Sequence, residues 1–392
     1  MNAQSPVTPF LPYGRQVIEE DDIEAVREAL MAPMLTTGPL VDRFEQALSA
    51  TTTAKEAVVV SNGTAALHLA ARAIHLDRAQ TAIVPSVTFV ATANAVRYCG
   101  AEVVFADVDP DTGLMTSETL RDALRRAPSN TARAVFPVHL NGQTCGMGAI
   151  AGVAREWGLW IIEDACHAIG GHQATATGPV PVGGCADSDM ACFSFHPVKT
   201  VAMGEGGAIT TNNADLAAAM RRDRSHGLIR ESNPAEPWAY ELREPGFNYR
   251  APDILCALGL SQLKKLKRFT EQRARLVAAY RERLWRLDPL LLPVDDAEHG
   301  DPAWHLFVVR IDFEKAGVTR AEVMRRLAEA GIGSQVHYIP VHRQPYYAAR
   351  YPGTHLPGAD AYYAKCLSLP LFASMTEDDV ERVCVALKAA LA

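Results

Sequence analysis

The sequence holds eight cysteines, and none of them forms a Cys-x-x-Cys pair, so a zinc ribbon or a dithiol redox centre has little basis and no metal is expected. No apolar run approaches the roughly 20 residues that a membrane-spanning helix requires. The opening stretch MNAQSPVTPFLPYGRQ carries no basic segment followed by an apolar one, and it is not expected to act as a signal peptide. Positive charge is not in excess. Lys and Arg number 38 against 45 Asp and Glu, a net charge of -7, which argues against a nucleic-acid groove. An anionic small substrate remains compatible, because local positive groups can sit on a mildly acidic protein. Internal repeats and low-complexity tracts are lacking as well. These absences leave the expectation of a soluble, cytoplasmic protein with reduced, mostly buried thiols and with neither nucleic acid nor membrane as a partner.

What is present is a chain of 392 residues, 48% of them hydrophobic, enough for a large domain and a smaller one. Apolar segments at 56–61, 81–86, 101–108, 131–140, 160–165, 189–195 and 207–212 read as strands, with amphipathic stretches between most of them reading as helices. Near-continuous apolar strands alternating with helices predict an α/β fold with a mostly parallel sheet covered on both faces. From about 255 the texture changes to one long helical pattern, ILCALGLSQLKKLKRFTEQRARLVAAYRERLWRL. It bridges to a second region with a strand at 305–312, a helix at 319–331, the half-buried stretch SQVHYIPV at 334–341 and a final helix from about Thr376. The division is drawn as a large domain over 1–265 and a smaller C-terminal α/β domain over 266–392. The stretch GHQATATGPVPVGGC (171–185) reads as a surface hairpin or loop.

Three motifs carry chemistry. In SNGTAALHLA (61–70) a strand ends and Asn62-Gly63-Thr64 turns into a helix. Free N–H groups at that helix start would favour a phosphate, although an ordinary capped turn reads the same way. In IIEDACHAIGG (161–171) an apolar strand delivers Glu163 and Asp164 at its C-terminal end, the edge where open parallel sheets bind ligands. A carboxylate there can pair with a protonated pyridine nitrogen, and His167 could bond a cofactor's phenolic oxygen. A helix-capping Asp and a surface His are the plainer account. In CFSFHPVKTVAMGEGG (192–207), Lys199 lies in a loop bounded by Pro and Gly, after Ser194 near a strand end. Most such lysines are merely solvated; a catalytic one forms a Schiff base with an aldehyde.

The order of these motifs resembles that of the DegT/DnrJ/EryC1/StrS sugar aminotransferases, which have the type I fold of the pyridoxal 5'-phosphate (PLP) enzymes. The likeness runs over nearly the whole chain. It takes in LTTGPLVDRFEQAL (35–48), PSVTFVATANAV (85–96), VFADVDPDTGLM (104–115) and GFNYRAPDILCALGLSQL (246–263) as well as the three motifs. It implies that Lys199 forms the Schiff base and then moves protons, and that Asp164 pairs with the pyridine nitrogen. His167, at a position often Gln in the family, would contact the phenolic oxygen, and Phe89 would stack on the ring. Gly63, Thr64, Ala65 and Ser194 would hold the phosphate. Asn248 would reach the phosphate of a neighbouring subunit's cofactor, implying a homodimer with shared sites. Within the family, SFHPVK and GIGSQVHYIPVHRQPYY (331–347) are most similar to the transaminases forming UDP-4-amino-4,6-dideoxy-N-acetyl-β-L-altrosamine for pseudaminic acid. That likeness implies glutamate as amino donor and a nucleotide-linked 4-keto-6-deoxy sugar as acceptor. Thr37, His196, His337, Tyr338 and His342 are then candidate substrate contacts. One departure is PVKTVAMGEGG, where something closer to PVKPITTGEGG is expected. Alternatives are an aminotransferase for another nucleotide sugar and a non-catalytic ligand-binding regulator. A dehydratase of the same fold would carry His in place of Lys199.

Overall fold

A computed structural model describes residues 9–230, 235–285, 287, 291–293 and 299–392. Seven strands stand side by side in the order Glu56–Val60, Gly207–Thr211, Met190–Ser194, Trp160–Asp164, Ala132–Val135, Thr81–Pro85, Glu102–Ala106. The last five pair in parallel. Gly207–Thr211 runs antiparallel to both its neighbours, so the sheet is mostly parallel, as expected. Alternate residues of one strand feed two separate cores, Val58 and Val60 into one and Ala57 and Val59 into the other. That alternation is why the strands read as unbroken apolar runs: both faces are covered.

The helix Gly63–Ala73 lies against this sheet through buried Ala65, Ala66, Ala70 and Ala71, whose small side chains let it pack closely. It also buries His68 among Tyr98, Phe247 and Tyr249, with Nδ1 3.1 Å from Tyr249 Oη and Nε2 without a partner among the described residues. Burial, and secondarily the charge of Arg72, lowers the His68 pKa from 6.5 to about 4. The unfolded chain therefore binds a proton near pH 6.5 that the folded chain refuses until about pH 4. Stability is expected to fall as pH drops through that window and to level off below it, by roughly 2–3 kcal/mol from this group. Urea midpoints at pH 7 and pH 4.5 measure it. His68→Gln should shrink the difference, and an unchanged difference would count against the assignment.

A second, antiparallel sheet joins Leu291–Pro293, Phe307–Ile311 and Cys366–Leu369. The helices Leu266–Leu284 and Glu377–Leu391 pack together beside it. Tyr280 stacks on Phe307 at 4.5 Å and donates to the Pro370 carbonyl at 2.9 Å. The final helix starts as expected, with a Thr376–Asp379 capping box.

Three expectations are corrected. The long helical pattern is two helices, Asp253–Leu263 and Leu266–Leu284. The break falls at Lys264–Lys265, where the Lys265 amine turns inward to Asp21 (2.6 Å), Asp22 (2.8 Å) and Glu19 (3.4 Å). We retain 265/266 as the proposed division because it coincides with this break. The strand expected to reach 140 stops at Val135, before Pro137, and Leu140–Gly142 forms a single 3-10 turn. The 171–185 stretch is a hairpin, His172–Thr175 with Gly178–Pro181, but it is not confined to the surface: Gln173 reaches the core.

Candidate active site

Neighbouring carboxylates of one strand serve opposite sides of the sheet. Glu163 is fully buried and accepts from His139 Nε2 (2.6 Å), Gln173 Nε2 (2.5 Å) and Ser188 Oγ. The Cys145 N–H donates to His139 Nδ1 at 3.2 Å, which places the ring hydrogen on Nε2, facing Glu163. Glu163 is thus saturated by structural donors. Asp164 instead lines a cavity of about 670 Å³, a volume suited to a small ligand. Its Oδ2 accepts from Thr92 Oγ1 at 2.7 Å and its Oδ1 from the Cys166 N–H at 3.2 Å, so the carboxylate is held in one orientation.

The same cavity gathers Gly63, Thr64, Phe89, His167, Ser194, His196, Lys199, His337 and Tyr338. Gly63 opens the helix at its floor, and the first N–H groups of a helix have no internal acceptor. A Cβ on Gly63 would lie 2.8 Å from Ser194 Cβ, so glycine is what allows this turn to meet the Ser194 strand end. Ala65 differs from expectation: its N–H is already bonded to the capping Asn62 Oδ1 at 2.8 Å, and it does not line the cavity. Phe89 is 56% exposed for a large apolar ring because its surroundings are the open cavity, with the Tyr338 ring 6.0 Å away.

Lys199 is half-buried at the cavity, and burial lowers its pKa below that of an ordinary lysine despite the opposing carboxylate of Asp164. A larger neutral fraction makes the amine a better nucleophile. His167 accepts from the Asn141 backbone N–H through Nδ1 (3.3 Å), so its hydrogen sits on Nε2, which faces Tyr338 Oη at 3.2 Å. With His167 donating, the Tyr338 hydroxyl is free to donate into the cavity. Burial, with the neighbouring Lys199 charge, keeps His167 neutral. His337 bonds Ser368 Oγ through Nδ1 at 2.7 Å.

Three predicted contacts lie outside the cavity of one chain. His342 is buried against Ser86, Nδ1 to Oγ 2.7 Å, and pins the 341–343 turn to the end of the Thr81–Pro85 strand instead of facing ligand. Thr37 is exposed at a left-handed φ of 56°, beside a turn whose Gly38 N–H donates to Asp253 at 2.7 Å. Asn248 is exposed on the outer surface, in a backbone bridge with Ser225. Residues that sequence reasoning missed are Tyr13, Thr92, Cys166 and His305. Thr92 had a signal, standing one helical turn beyond Phe89; Tyr13 and His305 come from segments distant in sequence and had none.

A phosphate-sized turn of free N–H groups with a serine hydroxyl, an open aromatic ring, an oriented carboxylate and a lysine share one cavity. These residues fit pyridoxal phosphate. The comparisons agree. The DegT/DnrJ/EryC1/StrS aminotransferase family model matches residues 16–388. The spore coat polysaccharide biosynthesis protein SpsC of Bacillus subtilis is 38% identical over 388 residues, 97% of this chain and 96% of its own length. Helicobacter pylori PseC, an aminotransferase involved in the biosynthesis of pseudoaminic acid, superposes with a TM-score of 0.88 at 26% identity, covering 97% of this chain and 99% of that one. Spr1654 of Streptococcus pneumoniae, solved in a PLP form, superposes with a TM-score of 0.86 at 25% identity over 97% and 98% of the two chains. Its PMP form gives a TM-score of 0.87, also at 25% identity, over 97% and 99%. The chain belongs to the DegT/DnrJ/EryC1/StrS aminotransferase family and is a sugar aminotransferase dependent on pyridoxal phosphate.

Proposed function

We propose that the protein transfers an amino group from glutamate to C4 of a nucleotide-linked, UDP-bearing 4-keto-6-deoxy sugar, forming UDP-4-amino-4,6-dideoxy-N-acetyl-β-L-altrosamine. The observation that carries the reading is the joint presence of Lys199 and an oriented Asp164 in one cavity. Bound there, pyridoxal phosphate supplies an electrophilic carbon for amines and a ring that accommodates the electron pair left when a proton departs. Gly63 and Thr64 offer N–H groups, and Ser194 a hydroxyl, to the phosphate. Phe89 would cover one ring face. Asp164, held by Thr92 and the Cys166 N–H, keeps the pyridine nitrogen protonated. Lys199 Nζ takes the proton from Cα of glutamate in the first half-reaction and returns one to C4 of the sugar in the second. The sugar acceptor is supported by the likeness to SpsC and PseC.

Among the described residues lining the cavity, Lys199 is the one Lys or Arg. A diphosphate or a dicarboxylate needs further cations, and this favours a homodimer in which a second copy completes each site. Asn248 and the neighbouring Arg243 and Arg250 stand on the surface available for that contact.

The test is the visible spectrum of the holoenzyme. Glutamate should bleach the visible band of the cofactor, and a UDP-linked 4-keto-6-deoxy-N-acetylhexosamine should restore it while gaining one amino group by mass spectrometry. A spectrum indifferent to glutamate would remove the donor. Restoration by a different nucleotide sugar alone would remove the acceptor.

A further inference from the structure

We propose that His305 is a specificity-determining contact for the sugar acceptor, donating a hydrogen bond from Nε2 to a ring hydroxyl or carbonyl oxygen; this rests on the sugar-transfer reading above. His305 immediately precedes the Leu306 and Phe307 core and is 4% exposed, yet it lines the cavity. Its backbone is fixed on both sides. The N–H donates to the Asn141 carbonyl at 2.9 Å, and the carbonyl accepts from the buried Arg273 Nη1 at 3.1 Å. The ring packs on His167 with centroids 4.5 Å apart.

Among the described residues, no side-chain partner satisfies the imidazole. Nδ1 is buried without a hydrogen-bonding neighbour. A trapped N–H is the rarer kind of orphan, so the hydrogen belongs on Nε2, the nitrogen left to the cavity. A donor that faces a cavity and has no protein partner is left to water or to a bound ligand. Burial, reinforced by the charge of Lys199, keeps this ring neutral.

Several other groups lining the cavity share this character. Gln335 and Gln344 carry no charge, the Tyr338 hydroxyl stays protonated, and burial with the Lys199 charge lowers His337 to about 3. A wall of uncharged donors suits hydroxyl and carbonyl oxygens, which leave water at modest cost. The carboxylates of glutamate require cations. A site built to bond a hydroxyl discriminates strongly against a ligand that lacks it.

The test uses cofactor-loaded wild type, His305→Phe, which keeps the ring on His167 but removes the donor, and His305→Gln, which restores one. Calorimetric titration with UDP and with UDP-N-acetylglucosamine gives the factor by which the sugar tightens binding. Stopped-flow absorbance gives the glutamate half-reaction. In His305→Phe the sugar factor should fall about tenfold, with partial recovery in His305→Gln, while UDP affinity and the glutamate rate stay within about twofold. If phenylalanine is not tolerated, His305→Leu serves the same comparison. An unchanged sugar factor would overturn the proposal, as would a glutamate rate that falls in parallel with it. Wild type that binds neither nucleotide and aminates no keto sugar would instead remove the acceptor proposed above, and this inference with it.

Discussion

Replacing Lys199 with alanine should lower turnover by at least about 10⁴-fold, the combined loss of a covalent anchor and a positioned acid–base group. The protein should still fold and still take up pyridoxal phosphate. The phosphate turn at Gly63 and Thr64, the Ser194 hydroxyl and the Phe89 ring are untouched by the change. Two measurements separate chemistry from binding. Borohydride treatment followed by peptide mapping should label Lys199 in the wild type and nothing in the variant. The cofactor absorbance of the variant should move to that of the free aldehyde without bleaching by glutamate. Methylamine should recover part of the rate, because the missing amine is small and the cavity has room for it. A variant that retains a tenth of wild-type activity would place the nucleophile elsewhere.

Asp164→Asn should cost about 10²–10⁴-fold in kcat with a much smaller change in the KM for glutamate. The amide is nearly isosteric: its oxygen can keep the Cys166 N–H while its NH2 donates to Thr92 Oγ1, which lies 2.7 Å from Oδ2 of the aspartate, so orientation survives. What is lost is the negative charge that stabilises a proton on the ring nitrogen. The discriminating readout is exchange of the glutamate Cα hydrogen with solvent, which should slow by the same factor as kcat. Thr92→Val provides the complementary case: the charge stays, its orientation loosens, and a loss of about tenfold is the expected scale. Equal KM and kcat losses in Asp164→Asn would indicate a binding role.

The strands were legible in the sequence because a sheet covered on both faces demands unbroken apolar runs, and EAVVV, TAIVP and GAITT satisfy that demand. The kinship carried the site, because Lys199, Asp164, Phe89 and Gly63 each follow a strand end in family order. What stayed hidden depended on distance along the chain. His305 meets His167 across 137 intervening positions, and no local pattern announces the pair. His342 looked like a ligand contact because it follows His337 and Tyr338 closely, but the turn at 341–343 rotates it onto Ser86. Ala65 looked like a phosphate donor until the Asn62 side chain was seen to occupy its N–H. The helix break at Lys265 escaped composition altogether, since its cause is a cluster of acids some 240 residues earlier.

The pairing of Ile162, Glu163 and Asp164 with Met190, Ala191 and Cys192 has a consequence for assembly. A slip of one position in that interior strand would bring Asp164 to the donors built for Glu163 and leave the cavity with Ala165, or, in the other direction, offer the cavity Glu163, one methylene too long. Cofactor capture therefore reads out whether the strand has threaded correctly, and the proportion of protein that emerges yellow from refolding is a census of chains that found the right alignment.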